Sequence, residues 1–274
     1  MKLITFDLDG TLLKSNQTLS KKIIEKLLEL QKQGHKIAFV TGRGYKNTEI
    51  FYKYFKPDFA VLNNGADIYN LITNEVFIPY SLSIKETEMA NEIAKKEFAL
   101  FSISTNLNFY AIMEYCKNEN FLTAEDKKYF SLSKHYSFSE AINDITSKQE
   151  IILQIALRQT EENIKNIAKK YDNLFPDLSK RITSRVFWDL NGPHISKYTG
   201  IEKILNILNI TNENLISFGD SNNDIPMLEK AKYSFAMQNA TTEVKKIVSE
   251  ILDGDCNSDA IYNKILELQN NKIL

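Results

Sequence analysis

Lys2-Leu3-Ile4-Thr5-Phe6-Asp7-Leu8-Asp9-Gly10-Thr11-Leu12-Leu13 decides how this chain is read. The apolar run Leu3 to Phe6 stops at two carboxylates one residue apart. An apolar run without alternation predicts a short strand buried on both faces, as in a parallel sheet. Gly10 lets the backbone leave that strand sharply, because it has no Cβ to forbid a positive φ. Residues i and i+2 of an extended chain face one side, so Asp7 and Asp9 point together. Paired like charges repel unless something neutralises them. A hard cation does so economically: Mg²⁺ takes oxygen ligands and keeps room for waters and a substrate phosphate. The stretch therefore reads as a carboxylate pair at a strand's carboxyl end, holding a metal against a phosphate. Taken alone, a strand closing in an ordinary Asp-Gly turn would look the same.

Working outward, Ser20 is placed to cap a helix with apolar positions Ile23, Ile24, Leu27, Leu28 and Leu30, and Gly34 to end it. Ile37-Ala38-Phe39-Val40 repeats the buried-strand pattern and stops at Thr41-Gly42-Arg43. Strand, helix, strand is the opening of a parallel α/β sheet. Ligands of such sheets bind beyond the carboxyl ends of the strands. There the Thr41 hydroxyl and the Gly42 amide can donate to phosphate oxygens, although Thr-Gly-Arg alone also fits a plain turn. A helix from about Tyr45 to Tyr54 leads to Phe59-Ala60-Val61-Leu62 and the polar turn Asn63-Asn64-Gly65.

The pattern then changes. Asp67 to Tyr80 reads as a hairpin with Asn74 at its turn, Glu86 to Lys96 and Glu161 to Tyr171 as helices, and Ser102 to Met113 and Glu150 to Leu157 as strands. Hairpin strands mixed with helices mark an α+β unit. Phe98, Phe101, Phe109, Tyr110, Phe121, Tyr129 and Phe130 are expected to form its core, and Trp188 to pack at its hinge. The βα rhythm returns after Val186 to Leu190. Lys197 lies just before a helix, Gly200 to Leu208; the strand Leu215 to Phe218 leads into Gly219-Asp220-Ser221-Asn222-Asn223-Asp224. Then come a helix Ile225 to Lys230, a strand Tyr233 to Met237, a helix Thr242 to Ile251 and, capped by Ser258, a helix Ala260 to Gln269. The expected fold class is α/β: a doubly wound parallel, Rossmann-like core sheet from residues 1–81 and 186–274, with an inserted α+β domain over 82–185.

Composition narrows the function. The 274 residues carry 34 basic and 35 acidic side chains, a net charge of −1, so there is no basic excess to bind nucleic acid. No apolar run approaches membrane-spanning length, and the chain opens directly into a strand, so a cytoplasmic protein is expected. Cys116 and Cys256 stand far apart and read as reduced thiols. His35, His135 and His194 show no metal-ligand spacing. Arg43 fits two readings equally, a reach toward substrate or a structural ion pair.

Four segments fall at strand ends or helix starts of one sheet: Asp7-x-Asp9, Thr41, Lys197 and Gly219-Asp220-x-x-Asn223-Asp224. In this order and context they resemble the haloacid dehalogenase-like phosphotransferases, over the whole chain. The insertion after the third strand looks like the type II cap of the Cof-like sugar-phosphatase group. Asn64-Gly65, Ser196-Lys197, the run Gly219 to Leu228 and Ala236-Met237-x-Asn239-Ala240 look like that group too. One departure concerns the loop before the last helix, where members often carry a glycine and this chain has Asp253-Gly254-Asp255-Cys256-Asn257-Ser258-Asp259-Ala260.

The resemblance implies a Mg²⁺-dependent phosphatase of small phosphorylated metabolites, sugar phosphates first, acting as a monomer or weak homo-oligomer. It implies Asp7 as the nucleophile that becomes an aspartyl-phosphate and Asp9 as the general acid–base. It places Mg²⁺ on the Asp7 carboxylate, the Asp9 carbonyl and Asp220. Thr41, the amides of Leu8 and Gly42, Lys197 and Asn223 would hold the phosphoryl oxygens. Ser221 and Asp224 would support them, Asp224 by placing Lys197 or a metal-bound water. A phosphomutase shares the aspartate pair and is the alternative. A non-catalytic ligand-binding protein is the third reading, and the intact set of acids with Lys197 argues against it.

Overall fold

The structure is a computed structural model and describes residues 1–116, 136–183 and 185–274. Phe121, Tyr129, Phe130 and His135, assigned above, lie outside the described residues. The strands in chain order are β1 (Leu3–Phe6), β2 (Lys36–Val40), β3 (Phe59–Leu62), β4 (Asp67–Asn70), β5 (Glu75–Phe77), β6 (Leu100–Thr105), β7 (Phe109–Ile112), β8 (Ile152–Arg158), β9 (Ser179–Thr183), β10 (Phe187–Asn191), β11 (Leu215–Gly219), β12 (Tyr233–Ala236) and β13 (Glu250–Ile251). The chain divides into two compact units. One comprises Met1–Arg43, Thr48–Phe77 and Ser196–Leu274, the other Gly44–Asn47 and Ile78–Ile195.

The first unit is built on one sheet in the order β13-β12-β11-β1-β2-β3-β4-β5. β1 lies in the middle, parallel to β2 and to β11, with Phe6 level with Phe39 on one side and Phe218 on the other. The sheet is parallel from β13 to β3; β4 and β5 add an antiparallel hairpin that turns at Asn74, φ 61°. Both faces are covered, which is why β1, β2 and β3 are almost wholly apolar, the exceptions being Lys36 at the start of β2 and Thr5, whose buried hydroxyl hydrogen-bonds Ser217 Oγ at 2.7 Å. On one face Phe6 stacks on Phe218 at 4.9 Å and Phe218 on Phe235 at 5.0 Å, under the helices Lys21–Lys32 and Ala260–Asn270. On the other, Leu3, Val40, Val61 and Leu215 meet the helix Lys197–Leu208 through Ile201 and Ile204. Each such buried side chain contributes about 1.5–3 kcal/mol. The helix Lys197–Leu208 lets its backbone approach β3 closely at Gly200, where a Cβ would overlap the Val61 side chain.

Three local readings are corrected here. Lys197 is the first residue of its helix, not the residue before it: Ser196 is the N-cap, its hydroxyl accepting from Thr199 N at 3.1 Å while Thr199 Oγ1 accepts from Ser196 N at 2.9 Å. The expected helix Thr242 to Ile251 covers only Thr242–Lys245, because the open edge of β12 takes the rest: Ser249 N donates to Ser234 O and Leu252 N to Ala236 O. The expected helix from Tyr45 to Tyr54 is helical only at Tyr45–Thr48, with a single 3₁₀ turn at Glu49–Phe51.

The second unit holds an antiparallel sheet in the order β7-β6-β8-β10-β9. Its core gathers Phe101, Ile103, Tyr110, Ile155, Leu157, Trp188 and Leu190 against the helices Ile84–Lys96, Phe138–Ser147 and Glu161–Tyr171. Trp188 packs edge-on against Phe175 at 6.0 Å within this core rather than at a hinge. Phe98 is exposed, not core, with a left-handed φ of 51° after its helix. β10 pairs with β8 and β9, Leu190 standing opposite Ile155 and Lys180, so this unit runs past the expected boundary at residue 185 to Ile195. Among the described residues no helix is long and apolar enough to cross a membrane.

Candidate active site

The loops that leave β1, β2, β3 and β11 at their carboxyl ends lie in the first unit and converge there. β1 delivers Asp7, which is 5% exposed. The helix start at Ser196 delivers Lys197, whose ammonium is fully buried and donates to Asp7 Oδ1 at 2.6 Å and to Asp224 Oδ1. Asp224 closes the loop after β11: its other oxygen accepts from the amides of Asp220 and Ser221, both at 2.9 Å. Gly219 permits that closure, since a Cβ there would stand 2.8 Å from Asp224 Cβ. Asp220 accepts from Thr11 Oγ1 at 2.6 Å. Asn239 Nδ2 donates to Gly10 O at 2.9 Å, tying the loop after β12 to the turn after β1.

Carboxylate oxygens of Asp7, Asp220 and Asp224 lie within 4.8 Å of one another. Burial is the main cause that raises Asp7 well above the ordinary carboxyl value; Lys197 opposes it, and Asp224, Asp220 and Asp9 add to it. Burial, then Asp224, pushes Asp220 up to about 7. For Lys197 burial acts downward, but Asp224 and Asp7 outweigh it and hold the ammonium charged above the usual lysine range. One buried cation thus faces three acids, and a divalent cation among them would offset the remaining repulsion. Gly10 fits this: with φ 80°, it passes so close to Asp220 that a Cβ would stand 2.5 Å from Oδ2.

Asp9 turns elsewhere. Arg43 Nε donates to its Oδ2 at 2.6 Å and Arg43 Nη2 to its Oδ1 at 2.5 Å, a two-pronged bond of the strong kind. Gln17 Nε2 adds a longer bond at 3.4 Å. Burial is the largest single influence on Asp9 and acts upward, yet the Arg43 charge and hydrogen bonds, with Gln17, carry its pKa below the ordinary value. Thr41 is buried at the end of β2; its hydroxyl accepts from Arg43 N at 3.2 Å. Asn223 donates to Asn64 Oδ1 at 2.9 Å. Leu8 buries its side chain in the core of the first unit, which fixes the backbone between the two aspartates. Ser221 caps the short turn Asn222–Asp224.

The structure thus draws Asp7, Lys197, Asp220 and Asp224 into one cluster and leaves the Asp9 side chain in the fork of Arg43. Thr11, Gln17 and Asn239 hold these groups and were not singled out from the sequence. Thr11 directly follows the Asp9-Gly10 turn, and Asn239 lies within Ala236-Met237-x-Asn239-Ala240, so position in a motif could have found both. Gln17 lies in a loop whose residue pattern carries no such signal.

The haloacid dehalogenase-like hydrolase family matches residues 4–265 of the chain. A 5-amino-6-(5-phospho-D-ribitylamino)uracil phosphatase of Bacillus subtilis is 23% identical, over 90% of each chain. A solved haloacid dehalogenase-like hydrolase of Bacteroides thetaiotaomicron superposes with a TM-score of 0.81 at 20% identity, covering 97% of this chain and 99% of its own. The solved structure of a subclass IIB sugar phosphatase superposes with a TM-score of 0.80 at 24% identity, covering 100% of both. The two structures are similar to this chain in fold.

Proposed function

The chain belongs to the haloacid dehalogenase-like hydrolases, and on that premise we propose that it is a Mg²⁺-dependent phosphatase of small phosphorylated metabolites, sugar phosphates first, working through an aspartyl-phosphate on Asp7. One observation carries this reading: a fully buried lysine bridges Asp7 and Asp224 beside Asp220, at the strand ends where α/β sheets bind ligands. A structural ion pair needs one acid for one lysine; three acids around one lysine leave a place for a cation and a phosphate.

Mg²⁺ would be held by the carboxylates of Asp7 and Asp220 and the carbonyl of Asp9, Asp224 being already engaged by Lys197 and two amides. When bound it neutralises charge between Asp7 and the phosphate dianion. Asp7 then forms a bond from a carboxylate oxygen to phosphorus as the bond to the leaving oxygen breaks. Asp9 gives its proton to that oxygen, and next takes one from the water that splits the acyl phosphate, restoring Asp7 and releasing phosphate. The Arg43 fork keeps Asp9 as a carboxylate, the form that accepts a proton; to donate one, Asp9 must leave the fork. Lys197, the Thr41 hydroxyl, the Gly42 and Leu8 amides and Asn223 are assigned to the phosphoryl oxygens.

The second unit, Gly44–Asn47 and Ile78–Ile195, is assigned as the type II cap, and leaving-group preference to its side chains. The net charge of −1 supports a small metabolite rather than nucleic acid as the partner, and a cytoplasmic location goes with that substrate class. A screen of phosphorylated metabolites that includes hexose phosphates and phosphorylated sugar alcohols, read as free phosphate, tests the reading. Release from several sugar phosphates with Mg²⁺ is expected. Conversion of a hexose 1-phosphate to its isomer without phosphate release would place the chain among mutases instead.

A further inference from the structure

The turn after β3 is where several loops of this rim meet. Asn63, Asn64 and Gly65 follow one another with φ of 47°, 59° and 109°, all buried. Left-handed backbone is strained at non-glycine residues, and asparagine tolerates it better than most. The strained turn makes specific contacts. Asn63 N donates to Arg43 O at 2.9 Å and Asn64 N to Thr41 O at 3.0 Å, which fixes the loop after β2. Asn64 Oδ1 accepts from Asn223 Nδ2 in the loop after β11. A Cβ placed on Gly42 would stand 3.2 Å from Asn64 Oδ1, so the same side chain backs the Gly42 peptide. Gly65 runs against the Ser196 carbonyl so closely that a Cβ could not fit, and Ser196 caps the helix that begins with Lys197. Beneath the turn, buried Asp67 accepts from Asn63 Nδ2 at 3.0 Å.

We infer that Asn64 is a positioning residue: its amide orients the Asn223 amide and backs Gly42, so that the phosphate-facing loops after β2 and β11 hold one geometry. Asn223 Oδ1 is buried with no hydrogen-bond partner among the described residues, so the bond to Asn64 is what sets the orientation of that amide. A lone structural bond would not need the strained backbone. Here the conformation of Asn64 places one short side chain against two loops at once. The inference rests on the phosphatase reading and deepens it, because the groups it aligns are those assigned to the phosphoryl oxygens.

Asn64→Gly is the informative variant, since glycine adopts φ near 59° freely and only the amide is lost. The assay uses an aryl phosphate, with inorganic phosphate as competitive inhibitor. Loss of one buried hydrogen bond predicts about tenfold weaker phosphate inhibition and a KM raised alike, with kcat changed less. The double variant Asn64→Gly, Asn223→Ala should fall within about threefold of the weaker single variant, because both remove one coupled unit. Wild-type phosphate affinity in Asn64→Gly, or effects that multiply in the double variant, would overturn the inference. Should Asn64→Gly fail to fold, Asn64→Ala removes the same amide and with it the acceptor for Asn223. It should weaken inorganic phosphate about tenfold, and unchanged binding would count against the role. If the wild-type protein hydrolyses no phosphomonoester and binds no phosphate, the phosphatase reading itself falls, an outcome distinct from any pattern among the variants.

Discussion

Both units bury carboxylates, and they do it in opposite ways. In the second unit Glu150 accepts from Thr105 Oγ1 at 2.5 Å, from Tyr110 OH at 3.0 Å and from Asn108 Nδ2, all neutral donors that stitch the turn between β6 and β7 to the end of the Phe138–Ser147 helix. In the first unit the Lys197 ammonium pairs with Asp7 and Asp224, and Asp220 brings a third carboxylate within 4.8 Å of both. The first arrangement saturates a charge with hydrogen bonds and spends it on holding a turn. The second leaves negative charge unbalanced in a buried place, which is costly for stability and useful for chemistry. Burial of a charged group therefore separates structure from function only when its partners are counted by sign.

The sharpest way to break this contrast is to remove one acid from each unit. Asp7→Asn should lower phosphate release by about 10⁴-fold or more, since on the proposed mechanism it removes the attacking carboxylate. Measured by steady-state release, activity within tenfold of wild type would put the nucleophile elsewhere. Excess EDTA should likewise abolish turnover, with Mg²⁺ restoring it; full turnover in chelator would remove the metal from the account. Asp9→Asn should cost about 10²–10⁴-fold, the range of general acid–base help.

Smaller effects sharpen the comparison through stability. Asp67 is buried and pushed up to about 7 by that burial. A carboxyl whose folded pKa exceeds its unfolded value of 3.8 holds its proton more tightly when folded. Its contribution is complete below that value and is lost as pH rises through about 7. Urea unfolding of Asp67→Asn should therefore show a flatter pH dependence than wild type between those limits, and an identical slope would contradict the assignment. Glu150→Gln should leave turnover within about twofold and lower stability by about 1–3 kcal/mol, the cost of disturbing a buried network.

What the sequence made legible follows the same division. β1 announced itself because a strand covered on both faces is mostly apolar, and the two aspartates that follow it were therefore conspicuous. Lys197 and Asp220 were found because each follows or begins a well-marked element. The partner of Asp9 was not legible: Arg43 is far along the chain, and residue type alone could not choose between substrate and ion pair. β9, Ser-Lys-Arg-Ile-Thr, escaped notice because most of it is only half-buried and carries charge. The helix expected to reach Ile251 stopped early because a sheet edge, a tertiary feature, captured its second half. Asn64 could be quoted as a motif, but its left-handed backbone is a property of the fold.

On the proposed mechanism Asp7 takes the phosphoryl group while Asp9 moves protons. Intact mass after an acid quench tests it, using an aryl phosphate, whose good leaving group departs with little protonation. Asp9→Asn should then phosphorylate Asp7 and keep the adduct, because water is no longer activated. A mass gain of one phosphoryl group is expected in Asp9→Asn and none in Asp7→Asn. A gain in Asp7→Asn with none in Asp9→Asn would contradict it.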